Sequence, residues 1–467
     1  LQCVTLLFAA CAVGPRYSRP PLQTPSVYRD GGQGTTNSFA ELAWWQVYQD
    51  RTLQALIREA LTNNYDIRIA AARVEESRAL AFQARSQFFP SVEYDGAVDH
   101  GKNDLFGSPY PNHGLTSGSA ATSLNAFWEV DLWGRVRRLN ESARAQYLAS
   151  QEAQHGVRLS LLSDVATAYF QLLDLDQELQ IADRTTNSFA QSLQIFQQRT
   201  QFGVTSDLDA ERAEAALAQA ASTIPQLLME ISQKENQLCV LLGRVPGPIA
   251  REPLSGMDHL PPQPPAGLPS ALVERRPDLR EAEQDLRSAN ADVGESIAEF
   301  FPKIGLTAFL GKVSPELSAY TLGGANAWAI GADASGPLFE GGRLVGQYRQ
   351  TRAARDEAKL RYQQTVLTAL REVSDALIAR ERLADVSEQQ AIQVQALVQS
   401  VKLSLERYDA GKASYYEVLE AQQELFPAQL DLTRTQTSQL LAVVDLYKAL
   451  GGGWDNLTNP IPPPQAN

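Results

Sequence analysis

The chain is short of the residues that covalent or metal-bound architectures need. Three cysteines in 467 residues, at positions 3, 11 and 239, are too few for a disulfide framework. Four histidines, at 100, 113, 155 and 259, show no HExxH spacing, and the cysteines form no CxxC, so zinc and cysteine-redox sites are not expected. Positive charge is also in deficit. Lys plus Arg number 41 against 54 Asp plus Glu, a net charge of −13, which disfavours a nucleic-acid binder. Past the first dozen residues no run of 18 apolar residues occurs, and mean hydropathy is −0.26, so no helical membrane span is expected. A membrane β-barrel stays open, because its strands alternate and leave hydropathy low. No GxSxG, GxGxxG or GxxxxGK string is present, and the expectation is of no enzyme.

What is there begins with an address. Residues 4–10, an apolar run too short to span a membrane, lead into Cys11 and read as the tail end of a signal peptide over 1–10. Phe8-Ala9-Ala10-Cys11 resembles a bacterial lipobox, with Phe8 where leucine is usual, so Cys11 is the expected lipidation site. A processed signal with an incidental cysteine is the alternative. The prolines of Gly14-Pro15-Arg16-Tyr17-Ser18-Arg19-Pro20-Pro21 make residues 11–50 an extended segment rather than a helix.

The most informative feature is internal duplication. Phe88-Phe89-Pro90 recurs as Phe300-Phe301-Pro302, and Asp66 as Asp278, both 212 residues on; Gly134-Arg135, Gly203 and Leu242-Gly243 recur as Gly342-Arg343, Gly411 and Leu450-Gly451, all 208 on. The first repeat spans 51–243, a Pro-rich linker 244–269, the second repeat 270–451 and a tail 452–467. Each repeat reads as helix, strand, loop, strand, long helix, turn, helix. Val92, Tyr94 and Val98 alternate with Glu93, Asp95 and Asp99, and Leu124, Trp128 and Val130 with Ser123, Asn125 and Glu129. Strands are therefore expected at about 91–100 and 119–130, and in the second half at about 303–311 and 327–335. About ten residues is the length a tilted strand needs to cross a bilayer. Aromatic residues at the strand ends suit interface girdles.

The helices are the other signal. Residues 51–89 and 270–301 each read as one short helix. From Arg135 to Phe202 and from Arg343 to Tyr408 there is no proline and one interior glycine each, so each stretch reads as a helix of about 100 Å. Val366, Ala369, Val373, Ala376, Arg380 and Leu383 alternate threes and fours as a coiled-coil seam does. Pro225 and Pro427 are expected to kink or interrupt the shorter helices that follow. Four strands cannot close a barrel, and an open edge is not tolerated in lipid, so the chain must oligomerise.

The motifs Asp131-Leu132-Trp133-Gly134-Arg135, Gly203-Val204-Thr205-Ser206-Asp207, Arg276-Pro277-Asp278, Phe339-Glu340-Gly341-Gly342-Arg343 and Tyr408-Asp409-Ala410-Gly411, with Cys11 and Gly14-Pro15-Arg16-Tyr17 ahead of them, place a resemblance. From Cys11 to about Trp454 the sequence resembles the TolC-like outer-membrane efflux family, in its NodT-type lipoprotein branch. The resemblance implies a mainly α fold with a membrane β-barrel: a homotrimer with a 12-stranded barrel in the outer membrane and a periplasmic α-helical tunnel. It also implies docking to a periplasmic adaptor and an inner-membrane pump, and passive export of drugs or other toxic small molecules. No cofactor is expected beyond the lipid on Cys11.

Asp207 and Asp209 follow the Gly203 turn, and Glu417 and Glu420 follow the Gly411 turn. Acids in a first helical turn also serve the helix dipole, and Asp207 suits an N-cap. In the family, acids matching Asp209, Glu417 and Glu420 line the closed periplasmic aperture, where a tyrosine matching Tyr408 ties neighbouring helices. Three copies would multiply them into a ring of roughly nine charges that focuses cations. Where some members carry a basic partner this chain has Ala413, which leaves Arg407 or Lys412 for that part. The alternatives are a non-channel periplasmic scaffold or adaptor, whose strands would form a soluble sheet, and a conduit for polypeptides.

Overall fold

The computed structural model describes residues 12–21, 25–28, 42–48, 50–102, 116–202, 206–251, 269–314, 320 and 326–452. The expected signal-peptide remnant, Cys11, the turn at Gly203, most of the linker, nearly all of the tail and most of the strand-joining loops lie outside the described residues. In chain order the elements are α1 (Trp44–Val47), α2 (Arg51–Asn63), α3 (Tyr65–Ser86), β1 (Ser91–Lys102), β2 (Thr116–Val130), α4 (Arg135–Gln201) and α5 (Asp207–Leu241). They continue with α6 (Leu272–Arg275), α7 (Pro277–Ala298), β3 (Lys303–Ser314), β4 (Asn326–Ser335), α8 (Arg343–Asp409) and α9 (Tyr415–Ala449). The strands outrun the apolar alternation by two or three residues at several ends, because ladder hydrogen bonds continue through Gly101, Ser117 and Val313.

The chain divides into two compact units, and neither coincides with a sequence half. One takes Ala72–Gln151 and Glu281–Gln363 with the N-terminal segment up to Pro21; the other takes Leu22–Ala71, Glu152–Arg280 and Gln364 onward. The two halves interleave because β2, from the first, pairs with β3, from the second.

In the first unit the four strands form one antiparallel sheet in the order β1-β2-β3-β4. One transverse row runs Tyr94, Leu124, Leu310, Trp328 and the next Val92, Ala126, Ala308, Ile330, all on one face. The opposite face carries Glu93, Asp95, Ser123, Asn125, Thr307 and Asp333, and Asn125 Nδ2 donates to Asp95 Oδ2 at 2.5 Å. The apolar face is uncovered: Tyr94 is 86% exposed, Trp328 75% and Ile330 79%. A soluble sheet would bury such side chains, at roughly 1.5–3 kcal/mol each, so this face is built for lipid. At the strand bases Trp133 stacks on Phe301, with centroids 4.7 Å apart, and its Nε1 donates to the Pro302 carbonyl at 2.8 Å.

The N-terminal segment is strapped onto the same unit. Val13 N donates to the Trp133 carbonyl at 3.0 Å, and Arg138 Nε to the Val13 carbonyl at 3.3 Å. Further along, Asn290 Nδ2 donates to the Pro15 carbonyl, while Tyr17 and Arg19 both donate to the nearly buried Glu283 carboxylate. Gly14 sits at φ 98°, and a Cβ there would lie 2.5 Å from Gly294 Cα, so only glycine admits this approach.

The second unit corrects two expectations. The helices expected as single over 51–89 and 270–301 are each broken, at Asn64 and Arg276, matching positions of the repeats. Asn64 Oδ1 accepts from Asp66 N (2.7 Å) and Ile67 N (3.2 Å), the geometry of an N-cap that starts a new helix. Arg276 precedes proline and is held extended, at φ −72° and ψ 125°. Each break then ties down a helix end: Asn64 Nδ2 donates to the Leu241 carbonyl at 2.9 Å, and Arg276 Nη1 to the Ala449 carbonyl at 3.0 Å. The same ends close with left-handed Gly243 (φ 72°) and Gly451 (φ 71°). Conversely, α5 and α9 run unbroken through Pro225 and Pro427. Each proline deletes one backbone bond, but buried residues on both sides keep the helix together.

Between α4 and α9 the almost fully buried Glu178 takes a bidentate bond from Arg434, at 2.6 and 2.9 Å. Burial, with Glu178 nearby, pushes the Asp174 carboxyl up to about 6. The folded state thus keeps a proton that the unfolded chain releases near pH 4, and stability falls as pH rises from about 4 to 6. Asp174→Asn should leave thermal stability unchanged at pH 3 and raise it above pH 6, by at most about 3 kcal/mol. On the sheet, Leu306→Lys or Leu310→Lys should cost up to about 2–4 kcal/mol and reduce heat-modifiable, membrane-assembled protein, whereas Thr307→Lys on the polar face should assemble normally.

Candidate channel aperture

The expected aperture residues lie where α4 gives way to α5 and where α8 gives way to α9, in the second unit. After α8 the chain reverses in a Schellman motif, with Gly411 N donating to the Tyr408 carbonyl and Lys412 N to the Arg407 carbonyl, both at 2.9 Å. The left-handed Gly411, at φ 68°, makes the turn possible. Ser206 and Ser414 take the N-cap positions of α5 and α9. Asp207 is therefore the first helical residue rather than the cap.

Next to these helix ends lies an aromatic cluster seated on alanine. Phe196, Tyr415, Val418 and Leu419 are buried against Ala213, Ala216 and Ala220 of α5, whose small side chains let the rings approach. Tyr415 meets Phe196 edge-on at 4.1 Å between centroids and Tyr408 at 5.2 Å. Tyr408 closes the edge of the cluster. The Arg199 guanidinium lies 4.6 Å from its ring centroid and donates to its hydroxyl. Burial raises the Tyr408 pKa, Arg199 opposes that shift, and Asp409 and Asp209 add to it. The phenol is thus neutral and joins α4 to the end of α8.

Arg199 is the side chain of this cluster that sequence reasoning missed. It stands 208 residues before Arg407, at the matching position of the first half, so the repeat itself pointed to it. Arg407 instead faces Glu417, at 3.6 Å with both groups exposed, a geometry worth little in water. Asp209 is half-buried, with Ser206 Oγ donating to its Oδ2 at 3.4 Å, while Asp207, Glu417 and Glu420 are exposed. Glu424 continues the Glu417–Glu420 face by one turn and is also exposed. The structure therefore brings Asp209 towards Tyr408 and leaves Asp207 and the α9 glutamates facing solvent. Among the described residues no group of three or more His, Cys, Asp or Glu side chains is arranged to hold a metal ion.

With this geometry in hand, comparison with known proteins is decisive. The sequence model of the outer membrane efflux protein family matches two segments, 56–244 and 268–452. The chain belongs to the outer membrane efflux protein family. It is 34% identical over 461 residues to the toluene efflux pump outer membrane protein TtgC of Pseudomonas putida, covering 97% of this chain and 95% of TtgC. It is 31% identical over 460 residues to the cation efflux system protein CusC of Escherichia coli, covering 97% and 98%. The crystal structure of the open state of the Neisseria gonorrhoeae MtrE outer membrane channel matches with a TM-score of 0.85 at 28% identity, covering 95% of this chain and 99% of that one. As a member of the outer membrane efflux protein family the chain is an outer-membrane channel and not an enzyme, with a membrane β-barrel and a large α-helical periplasmic portion. The scaffold alternative falls with this and with the uncovered apolar sheet face.

The Arg199–Tyr408 contact can be weighed directly. Tyr408→Phe should lose the hydrogen bond and Arg199→Ala the cation–π contact as well. A double-mutant cycle, read by hydrogen exchange in α5 and the start of α9, should give a coupling of about 1–2 kcal/mol.

Proposed function

We propose that three copies of the chain close their sheets into one 12-stranded barrel and act as the passive exit duct of an efflux pump, fed by a periplasmic adaptor and an inner-membrane pump. The observation that carries this is a sheet with one apolar face, one polar face and two unpaired edges. In lipid each unpaired backbone group costs several kcal/mol, so β1 and β4 need partners. Two copies would give eight strands and a filled lumen; three give twelve and a passage. The polar face would then line water.

The cargo is a small toxic solute. Relatives covering nearly the full length are named for toluene and for cations, and among the described residues no group of His, Cys, Asp or Glu is arranged to hold a metal ion that would select one class. Selection falls to the pump. Cys11, eight residues ahead of the strap residue Arg19, is the proposed lipid anchor. Asp207, Asp209, Glu417 and Glu420, with Tyr408, are proposed to line the periplasmic aperture, where three-fold repetition concentrates negative charge.

Mass measurement of the detergent-extracted protein should give three chains per particle, and the gene should restore solvent or drug tolerance to a strain lacking its own channel. A monomer, or tolerance unaffected by the protein, would overturn the duct. In planar bilayers Glu417→Gln with Glu420→Gln should raise the concentration of a multivalent cation needed for half-block roughly tenfold; unchanged block would remove both residues from the aperture.

A further inference from the structure

Next to the sheet, and within the same unit, α3 and α4 leave an open groove of about 840 Å³. Its basic groups are Arg78 and Arg85 from α3 and Arg144 from α4, and Glu75 is its one acid. Three positive charges against one negative run counter to a chain of net charge −13. Arg78 stands 3.5 Å from Glu75 with both side chains largely exposed, a weak pair. Arg85 and Arg144 form no ion pair among the described residues. Much of the remaining wall is aromatic: Phe82, which is 72% exposed, with Phe88 and Tyr147. Exposed rings beside arginines are out of place in water and match the boundary where acyl chains meet headgroups.

Two contacts put the groove on the lipid side. At its sheet end the Phe88 carbonyl accepts from Trp128 Nε1 at 3.0 Å, and Trp128 belongs to the apolar face, opposite Leu306 of β3. On the other wall, Arg135 opens α4 by donating to Glu129 at 2.9 and 2.6 Å, and Glu129 alternates onto the polar face. Arg144 follows nine residues later, about two and a half turns, and so leaves α4 from the side opposite Arg135. The depth agrees. Arg85 lies within a turn of Phe88 and the strand base, and Arg78 is seven residues further from the sheet, about 10 Å along α3. Headgroups occupy roughly 5–8 Å beyond the hydrocarbon, which sets Arg85 at headgroup level and Arg78 just below it.

We propose that this groove holds the headgroup of an anionic phospholipid of the periplasmic leaflet, its phosphate against Arg85 and Arg144 and its chains passing Phe88 and Trp128 onto the lipid face. Guanidinium groups meet phosphate oxygens through paired, charge-assisted hydrogen bonds. A zwitterionic lipid would bring an ammonium group among three arginines, so a glycerol headgroup is preferred to ethanolamine. Native mass spectrometry of the full-length protein, delipidated in a neutral detergent and titrated with phosphatidylglycerol or phosphatidylethanolamine, tests this. Phosphatidylglycerol should half-saturate its site at a concentration at least tenfold lower than phosphatidylethanolamine. Arg85→Gln with Arg144→Gln, both exposed positions, should raise that concentration roughly tenfold. Arg371→Gln with Arg382→Gln removes the same charge from exposed positions of α8 and should leave it unchanged. Glycerol phosphate, added as a competitor at the lipid's concentration, should displace nothing. Equal binding of the two lipids by the unaltered protein would overturn the site by itself, whether or not any variant assembles. An equal loss in both double variants would reduce the preference to overall charge and overturn the groove; displacement by glycerol phosphate would make the occupant a soluble anion and overturn the lipid.

Discussion

A strand edge cannot be left bare in hydrocarbon, and the described structure answers to that constraint. The sheet satisfies its inner backbone groups through three antiparallel pairings and presents two raw edges, β1 and β4, beside a face of valine, tyrosine, leucine and tryptophan. The apolar face is unfavourable in water and the bare edges are unfavourable in hydrocarbon, and both are resolved if other copies supply the missing strands inside a bilayer. The helices follow from the same requirement, because each strand pair is entered and left by a helix, so closure of the sheet dictates which helices become neighbours.

Duplication supplies the means. Each half contributes a broken helix, one strand pair, one long helix and one shorter helix, and the halves are joined by pairing of β2 with β3 rather than by packing of two finished domains. The tie between helix break and helix end is made twice with different chemistry: an asparagine cap reaches Leu241 in one half, and an arginine before a proline reaches Ala449 in the other. What has been kept is the position of the break and the left-handed glycine facing it, not the side chain that does the work.

Much of this was legible in the sequence. Alternation at 91–99 and 120–130 gave the strands and their faces correctly, because the period of two survives where one side meets lipid and the other water. The breaks at Asn64 and Arg276 were harder, since apolar spacing continues across both; the signals were local, an Asx cap and a pre-proline residue. Of the candidate aperture, the acids and Tyr408 were marked by the glycine turns. Arg199 was not, because its partner lies 209 residues away and only the fold brings them together. The interleaving of the two halves could not be read from a linear map at all.

The N-terminal strap has a consequence for the order of events during export. Its anchors are Trp133 and Arg138 from the first half and Glu283, Asn290 and Gly294 from the second. A chain that emerges N-terminus first therefore carries these residues unfastened until close to 300 residues have crossed, and only then is there a surface for the strap to settle on. The strap is thus the last part of the N-terminal region to be fastened, and the finished fold holds it down afterwards.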